Sequence, residues 1–112
     1  MSSTSEKFIT SYNLIKKNDT VPIVFIHGVG LTKEIWRPQV DFFKDRNLLT
    51  YDLLGHGDTP LKKTQLNFED FTKQLLNLIN ELNINKIHLV GFSLGSIIAR
   101  HFAAEHSNRL SS

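Results

Sequence analysis

The chain has 112 residues, 40% of them hydrophobic and 21% charged, proportions that suit one soluble globular unit able to bury a core. A net charge of +2 is spread along the chain, with Lys16-Lys17 and Lys62-Lys63 the only basic pairs, so no nucleic-acid partner is expected. The lack of cysteine excludes disulfides, zinc–thiolate centres and a thiol nucleophile.

The opening stretch, MSSTSEKFITS, has no continuous apolar run for a signal peptide, and no later segment reaches membrane-spanning length. A cytoplasmic location with no membrane partner is the resulting expectation. Residues 8–15, FITSYNLI, put Phe8, Thr10, Tyr12 and Leu14 on one alternation, the pattern of an edge strand with one wet face. Lys16-Lys17-Asn18-Asp19 forms the turn that ends it. Residues 22–26, PIVFI, are apolar at every position, as required of a strand in the middle of a parallel sheet covered on both faces.

His27-Gly28-Val29-Gly30 follows, its glycines allowing a tight loop that brings backbone N–H groups towards the sheet edge. From Thr32 the spacing of Ile35, Trp36, Val40 and Phe43 predicts a helix whose regular part begins near Pro38. Residues 48–52, LLTYD, form the next strand, and residues 53–67 a long loop. Asn67 is the N-cap of a helix with Glu69 and Asp70 in its first turn and a stripe of Phe68, Phe71, Leu75, Leu78, Ile79 and Leu82. Asn83 to Asn85 ends that helix. Strands alternating with helices through short links predict one domain over residues 1–112, with a partial doubly wound, mostly parallel α/β sheet.

Residues 87–100, IHLVGFSLGSIIAR, organise the rest. An apolar strand (Ile87, Leu89, Val90) stops at Gly91-Phe92-Ser93-Leu94-Gly95, and a helical pattern starts at once with Leu94, Ile97, Ile98 and Phe102. Ser93 then stands on a strained corner above the carboxyl edge of the sheet, and Gly91 and Gly95 remove side chains where strand and helix pass closest. A serine hydroxyl in that position is a candidate nucleophile. It needs donors aimed at the oxyanion formed on carbonyl attack. The backbone N–H of Leu94 is one, and Val29, in the loop after PIVFI, is best placed for the other.

HGVG (27–30), YDLLGHG (51–57) and GFSLG (91–95), in that order, resemble the α/β-hydrolase fold family, and the wording is similar to its esterase and enol-lactonase-like branch. The similarity runs from about Tyr12 to the last residue. It implies hydrolysis of a small ester, lactone or thioester through a Ser93 acyl-enzyme, with a small-molecule acyl substrate and neither cofactor nor metal. Asp58-Thr59 departs from the serine usual in the family after GHG. The family's triad acid and histidine follow the serine on later strands. Only one helix and a tail follow Ser93 here, so the chain resembles the N-terminal half of a hydrolase, without acid, base or lid. Such a half is either catalytically silent or completed by a partner chain or by self-association through an unpaired, apolar I-H-L-V edge.

His27 and His56 both sit in loops on the active edge, where either could approach Ser93, but they read better as structural: His27 braces the oxyanion loop, His56 packs its own loop, and His88 is a satisfied buried side chain within a strand. His101, Glu105 and His106 lie on the helix leaving the elbow and cannot return to Ser93, and a five-residue spacing turns the two histidines to different faces, unsuited to a metal. A dinucleotide-binding turn is mimicked by Gly28-x-Gly30 and Asp52, but Lys33 stands where its third glycine belongs, and Asp52 reads better as a staple for the turn after its strand. GFSLGS lacks the Gly-Lys-Ser/Thr of a phosphate-binding loop.

Overall fold

The computed structural model describes residues 9–61 and 65–112. Phe8 and the Lys62-Lys63 pair lie outside the described residues. Four strands, β1 (Tyr12–Ile15), β2 (Ile23–Ile26), β3 (Leu48–Tyr51) and β4 (His88–Gly91), form one sheet in the order β1-β3-β2-β4. β2 runs parallel to both β3 and β4, and β1 closes one side antiparallel to β3. The helices are α1 (Arg37–Phe42), α2 (Phe68–Glu81) and α3 (Leu94–Glu105), with 3₁₀ turns at Lys33–Trp36 and Ser107–Arg109. This is the α/β fold expected.

β2 and β3 are buried at all four positions because both faces are covered. Val24, Ile26, Leu49 and Tyr51 pack against Phe71, Leu75, Leu78 and Ile79 of α2 and Ile98 and Phe102 of α3. Ile23, Phe25 and Leu48 face the opposite way, onto Trp36, Val40 and Phe43. Leaving β1 aside, the alternation of the pleat assigns each side chain to one layer.

α2 begins as read. Asn67 accepts the Asp70 N–H at 2.9 Å while Asp70 accepts the Asn67 N–H at 2.9 Å, a reciprocal capping box. It ends in a Schellman motif: Asn83 adopts φ +59°, and the N–H of Ile84 donates to the Ile79 carbonyl at 2.8 Å. Within its stripe Phe68 is the exception, half-exposed and stacked on His101 with ring centres 4.7 Å apart.

Four local expectations are corrected. The helix from Thr32 opens as a 3₁₀ turn capped by the Thr32 side chain, and its three-residue period buries Trp36 but swings Ile35 into solvent. On β1, Tyr12 and Leu14 are partly exposed while Ile15 packs on the core beside Trp36. His88 is only partly buried, with Nδ1 2.8 Å from the Ser112 hydroxyl. The outer edge of β4 is not bare: Leu110 pairs in parallel with Ile87, and Leu89 N–H reaches the Ser112 carbonyl at 2.9 Å. The tail turns back through Ser107–Arg109 and lies along that edge.

Candidate active site

β4 hands over to α3 within a few residues. The Phe92 N–H makes the last ladder bond, to the Ile26 carbonyl at 3.0 Å; Ser93 follows with φ +58° and ψ −119°, and Leu94 is already helical. A positive φ in a residue with a Cβ is a strained state that persists only where its surroundings impose it. Gly91 and Gly95 impose it. A Cβ on Gly91 would stand 2.3 Å from the Gly95 carbonyl oxygen, and one on Gly95 would stand 2.1 Å from the Ile26 carbonyl oxygen. Strand and helix backbones are in contact there, which leaves no other path for the corner.

The Ser93 side chain is exposed and makes no capping bond to its own helix. It stands beside the 27–30 loop: a Cβ built on Gly28 would lie 3.2 Å from Ser93 Cβ and 3.2 Å from the Phe92 carbonyl oxygen. Around the corner, Gly95 N–H bonds to Phe92 and Ser96 N–H to Ser93, each at 2.9 Å. The Leu94 N–H, on the first helical residue, has no acceptor among the described residues, as the geometry of a helix start requires. Nor does the Val29 N–H, in a loop closed by Leu31 N–H to the Gly28 carbonyl at 3.2 Å. Gly30, at φ +76°, has nothing near its Cβ position, so its glycine is needed for conformation and not for space.

Two buried polar groups hold this loop. His27 is fully buried. Its Nε2 accepts the Leu53 N–H at 3.0 Å, so the ring proton sits on Nδ1, which is 2.7 Å from the Gly28 carbonyl. Burial lowers the pKa of this imidazole, and the charge of nearby His56 acts the same way, against the opposing pull of the Gly28 carbonyl and Asp52. His27 is therefore a neutral brace with both nitrogens committed. His56 is bound through Nδ1 to the Leu54 carbonyl at 3.0 Å, with its ring centre 5.1 Å from that of His27.

Asp52, also fully buried, is the second anchor. Its Oδ1 accepts the Lys33 N–H at 2.7 Å; its Oδ2 accepts the Asp58 N–H at 3.0 Å and the Lys33 ammonium at 3.1 Å. Burial alone would raise this carboxyl, but the Asp58 and Lys33 amides and the Lys33 ammonium outweigh it and hold the pKa below the usual carboxylate value. Asp52 does staple the turn after β3, and in doing so has no oxygen left to present to a ribose.

Sequence reasoning missed four contributors: Lys33, Ser11, Thr59 and Gln74. Ser11 N–H bonds to Thr59 Oγ1 at 2.9 Å, and Gln74 spans from the Leu54 N–H to the Asp52 carbonyl at 3.1 and 2.9 Å. The one signal was Gln74, a polar residue on the buried side of an apolar stripe. His101 and Glu105 lie on α3 and His106 caps its end, against Phe68, Thr72 and Phe102 respectively.

A mostly parallel sheet whose β4 breaks at a strained Gly-x-Ser-x-Gly corner beside a glycine-rich loop defines the α/β hydrolase class. The chain belongs to the alpha/beta hydrolase fold family, whose model matches residues 21–112. It is similar to an (E)-2-((N-methylformamido)methylene)succinate hydrolase of Acinetobacter baylyi, 36% identical over 78 residues that make up 69% of this chain and 30% of that protein. It is 34% identical to 3-oxoadipate enol-lactonase 1 of the same organism, over 69% of this chain and 29% of the relative. Among solved structures, a carboxylesterase of Nitrososphaera gargenis superposes with a TM-score of 0.89 at 30% identity, covering 100% of this chain and 42% of its own. The enol-lactonase of Burkholderia xenovorans gives 0.86 at 27% identity, covering 90% and 40%. The chain thus spans less than half the length of each of these proteins.

Proposed function

We propose that this chain is the nucleophile-bearing half of a serine hydrolase acting on a small ester, lactone or thioester. Ser93 Oγ attacks the acyl carbon and its proton passes to a base, which returns it to the leaving alcohol or thiol (in a lactone the opened hydroxyl stays tethered); water then cleaves the acyl-enzyme to the acid and the free serine hydroxyl. The backbone N–H groups of Val29 and Leu94 stabilise the oxyanion. The observation that carries this reading is the strained, solvent-facing Ser93 beside Gly28, with a helix N-terminus behind it.

His27 cannot serve as that base, because both its ring nitrogens are engaged. Without a base, turnover falls on the order of 10⁶-fold, leaving the contribution of the two amides. A fluorophosphonate probe supplies the test, because its phosphorus is attacked as an acyl carbon is. A slow, stoichiometric adduct located on Ser93 by peptide mass is expected, and equal labelling of Ser93→Ala would refute the assignment.

A second reading, a silent half-domain completed by further polypeptide, is favoured by the apolar side chains exposed around the β4 edge, Val90, Phe92 and Ile97. p-Nitrophenyl acetate separates the two. Turnover above that of Ser93→Ala favours a working centre, and equality favours the silent half.

A further inference from the structure

We propose that Lys33 is the positioning residue of the oxyanion loop, holding the Val29 N–H towards Ser93; this rests on the reading of Ser93 given above. The loop from Gly28 to Thr32 has little of its own to fix it. Val29 projects into solvent at 69% exposure, and Gly30 takes a positive φ in open space. One 3.2 Å bond, from Leu31 N–H to the Gly28 carbonyl, closes the turn. Its shape is therefore set at its two ends.

The first end is the buried His27 ring with Gly28 against Phe92 and Ser93. The second is Lys33, which grips one carboxylate twice, through its backbone N–H on Asp52 Oδ1 and its ammonium on Oδ2. The ammonium also donates to Ser11 Oγ at 2.9 Å, and its side chain is 10% exposed, so water competes little for it. Asp52 cannot follow a wandering loop. A Cβ on Gly57 would lie 2.3 Å from Asp52 Oδ2, so the carboxylate is wedged against that backbone, and the Asp58 N–H ties it from the same side. The pair thus references the oxyanion loop to the turn after β3 and to the chain entering β1. Without the ammonium, Asp52 retains two amide donors, so Lys33→Met leaves the buried carboxylate hydrogen-bonded while one tether is lost.

The experiment uses ¹⁵N-labelled full chain as wild type, Lys33→Met and Lys33→Arg. In Lys33→Met the backbone order parameters of Val29 and Gly30 should fall from about 0.85 to below about 0.6, with those of β2 and α2 unchanged, and Lys33→Arg should restore them. Fluorophosphonate labelling of Ser93 should slow about tenfold in Lys33→Met and recover in Lys33→Arg, since a loosened donor loses part of what its removal would lose. Unchanged order parameters at 29 and 30, or an equal loss throughout β2 and α2, would overturn the proposal. So would labelling of Ser93 at the wild-type rate in Lys33→Met. Absence of Ser93 labelling in the wild type counts against the hydrolase reading instead, and the order parameters then decide alone.

Discussion

At the scale of single residues, the chain holds polar and strained groups in states that only their neighbours justify. Ser93 is the plainest: its φ of +58° is the conformation glycine adopts freely, at about 1–3 kcal/mol for other residues. Ser93→Gly should leave the protein as stable or up to about 1 kcal/mol more so in urea denaturation while losing all probe labelling at 93, the signature of strain kept for function. Tyr51 runs the other way. Its phenol is fully buried, burial alone holds its pKa far above the ordinary value, and its oxygen has no partner among the described residues. Tyr51→Phe removes an unpaired buried hydroxyl and should raise the denaturation midpoint, by about 1 kcal/mol in stability.

His27 sets the pH response. Its folded pKa lies below the ordinary 6.5, so the unfolded chain takes up the proton first as pH falls. Stability from this group is complete above pH 6.5 and is lost from there down to the folded pKa, when Nε2 would have to give up the Leu53 N–H. Asp52 has the same sign in a lower window, beginning near 3.8. Urea midpoints followed downward from about pH 8 should therefore decline as the pH passes through the histidine range, and a midpoint that rose on acidification would contradict the neutral state assigned to buried His27.

At the scale of elements, local signals worked where they were redundant. α2 has an N-cap, acids in its first turn, a regular apolar stripe and an asparagine stop, and every one of them is used. Asn67→Ala removes the acceptor of the Asp70 N–H, leaving only the reverse bond from the Asn67 N–H to the Asp70 carboxylate, and should lower stability by about 1 kcal/mol, measurable by thermal or urea unfolding, with Asn67→Ser restoring most of it. The segment after Thr32 shows the opposite. Its i, i+3 spacing fits a 3₁₀ turn as well as an α-helix, and the backbone bonding that separates them depends on where Lys33 meets Asp52, nineteen positions away.

At the scale of the whole molecule, the sheet order β1-β3-β2-β4 brings the loops after β2, β3 and β4 to one edge, where His27, Asp52 and Ser93 meet. The other consequence is the outer edge of β4, covered by residues 109–112 only as far as Leu89. Deleting residues 107–112 frees the Ile87 and Leu89 N–H groups beside the exposed Val90, and sedimentation velocity should then show concentration-dependent association beyond that of the full chain. Equal behaviour of the two would mean that the tail does not guard this edge.

How much could be read in advance follows from the range of the forces involved. The fully apolar β2, the stripe of α2 and the glycines flanking Ser93 depend on neighbours a few positions apart, so the residue pattern was enough to place them. The Lys33–Asp52 clasp, the bond of His27 Nε2 to Leu53, the buried Gln74 and the return of the tail to β4 join positions from 19 to 26 apart. Each needs a donor and an acceptor brought within 3.1 Å, a condition met once the sheet has assembled and invisible in a linear pattern.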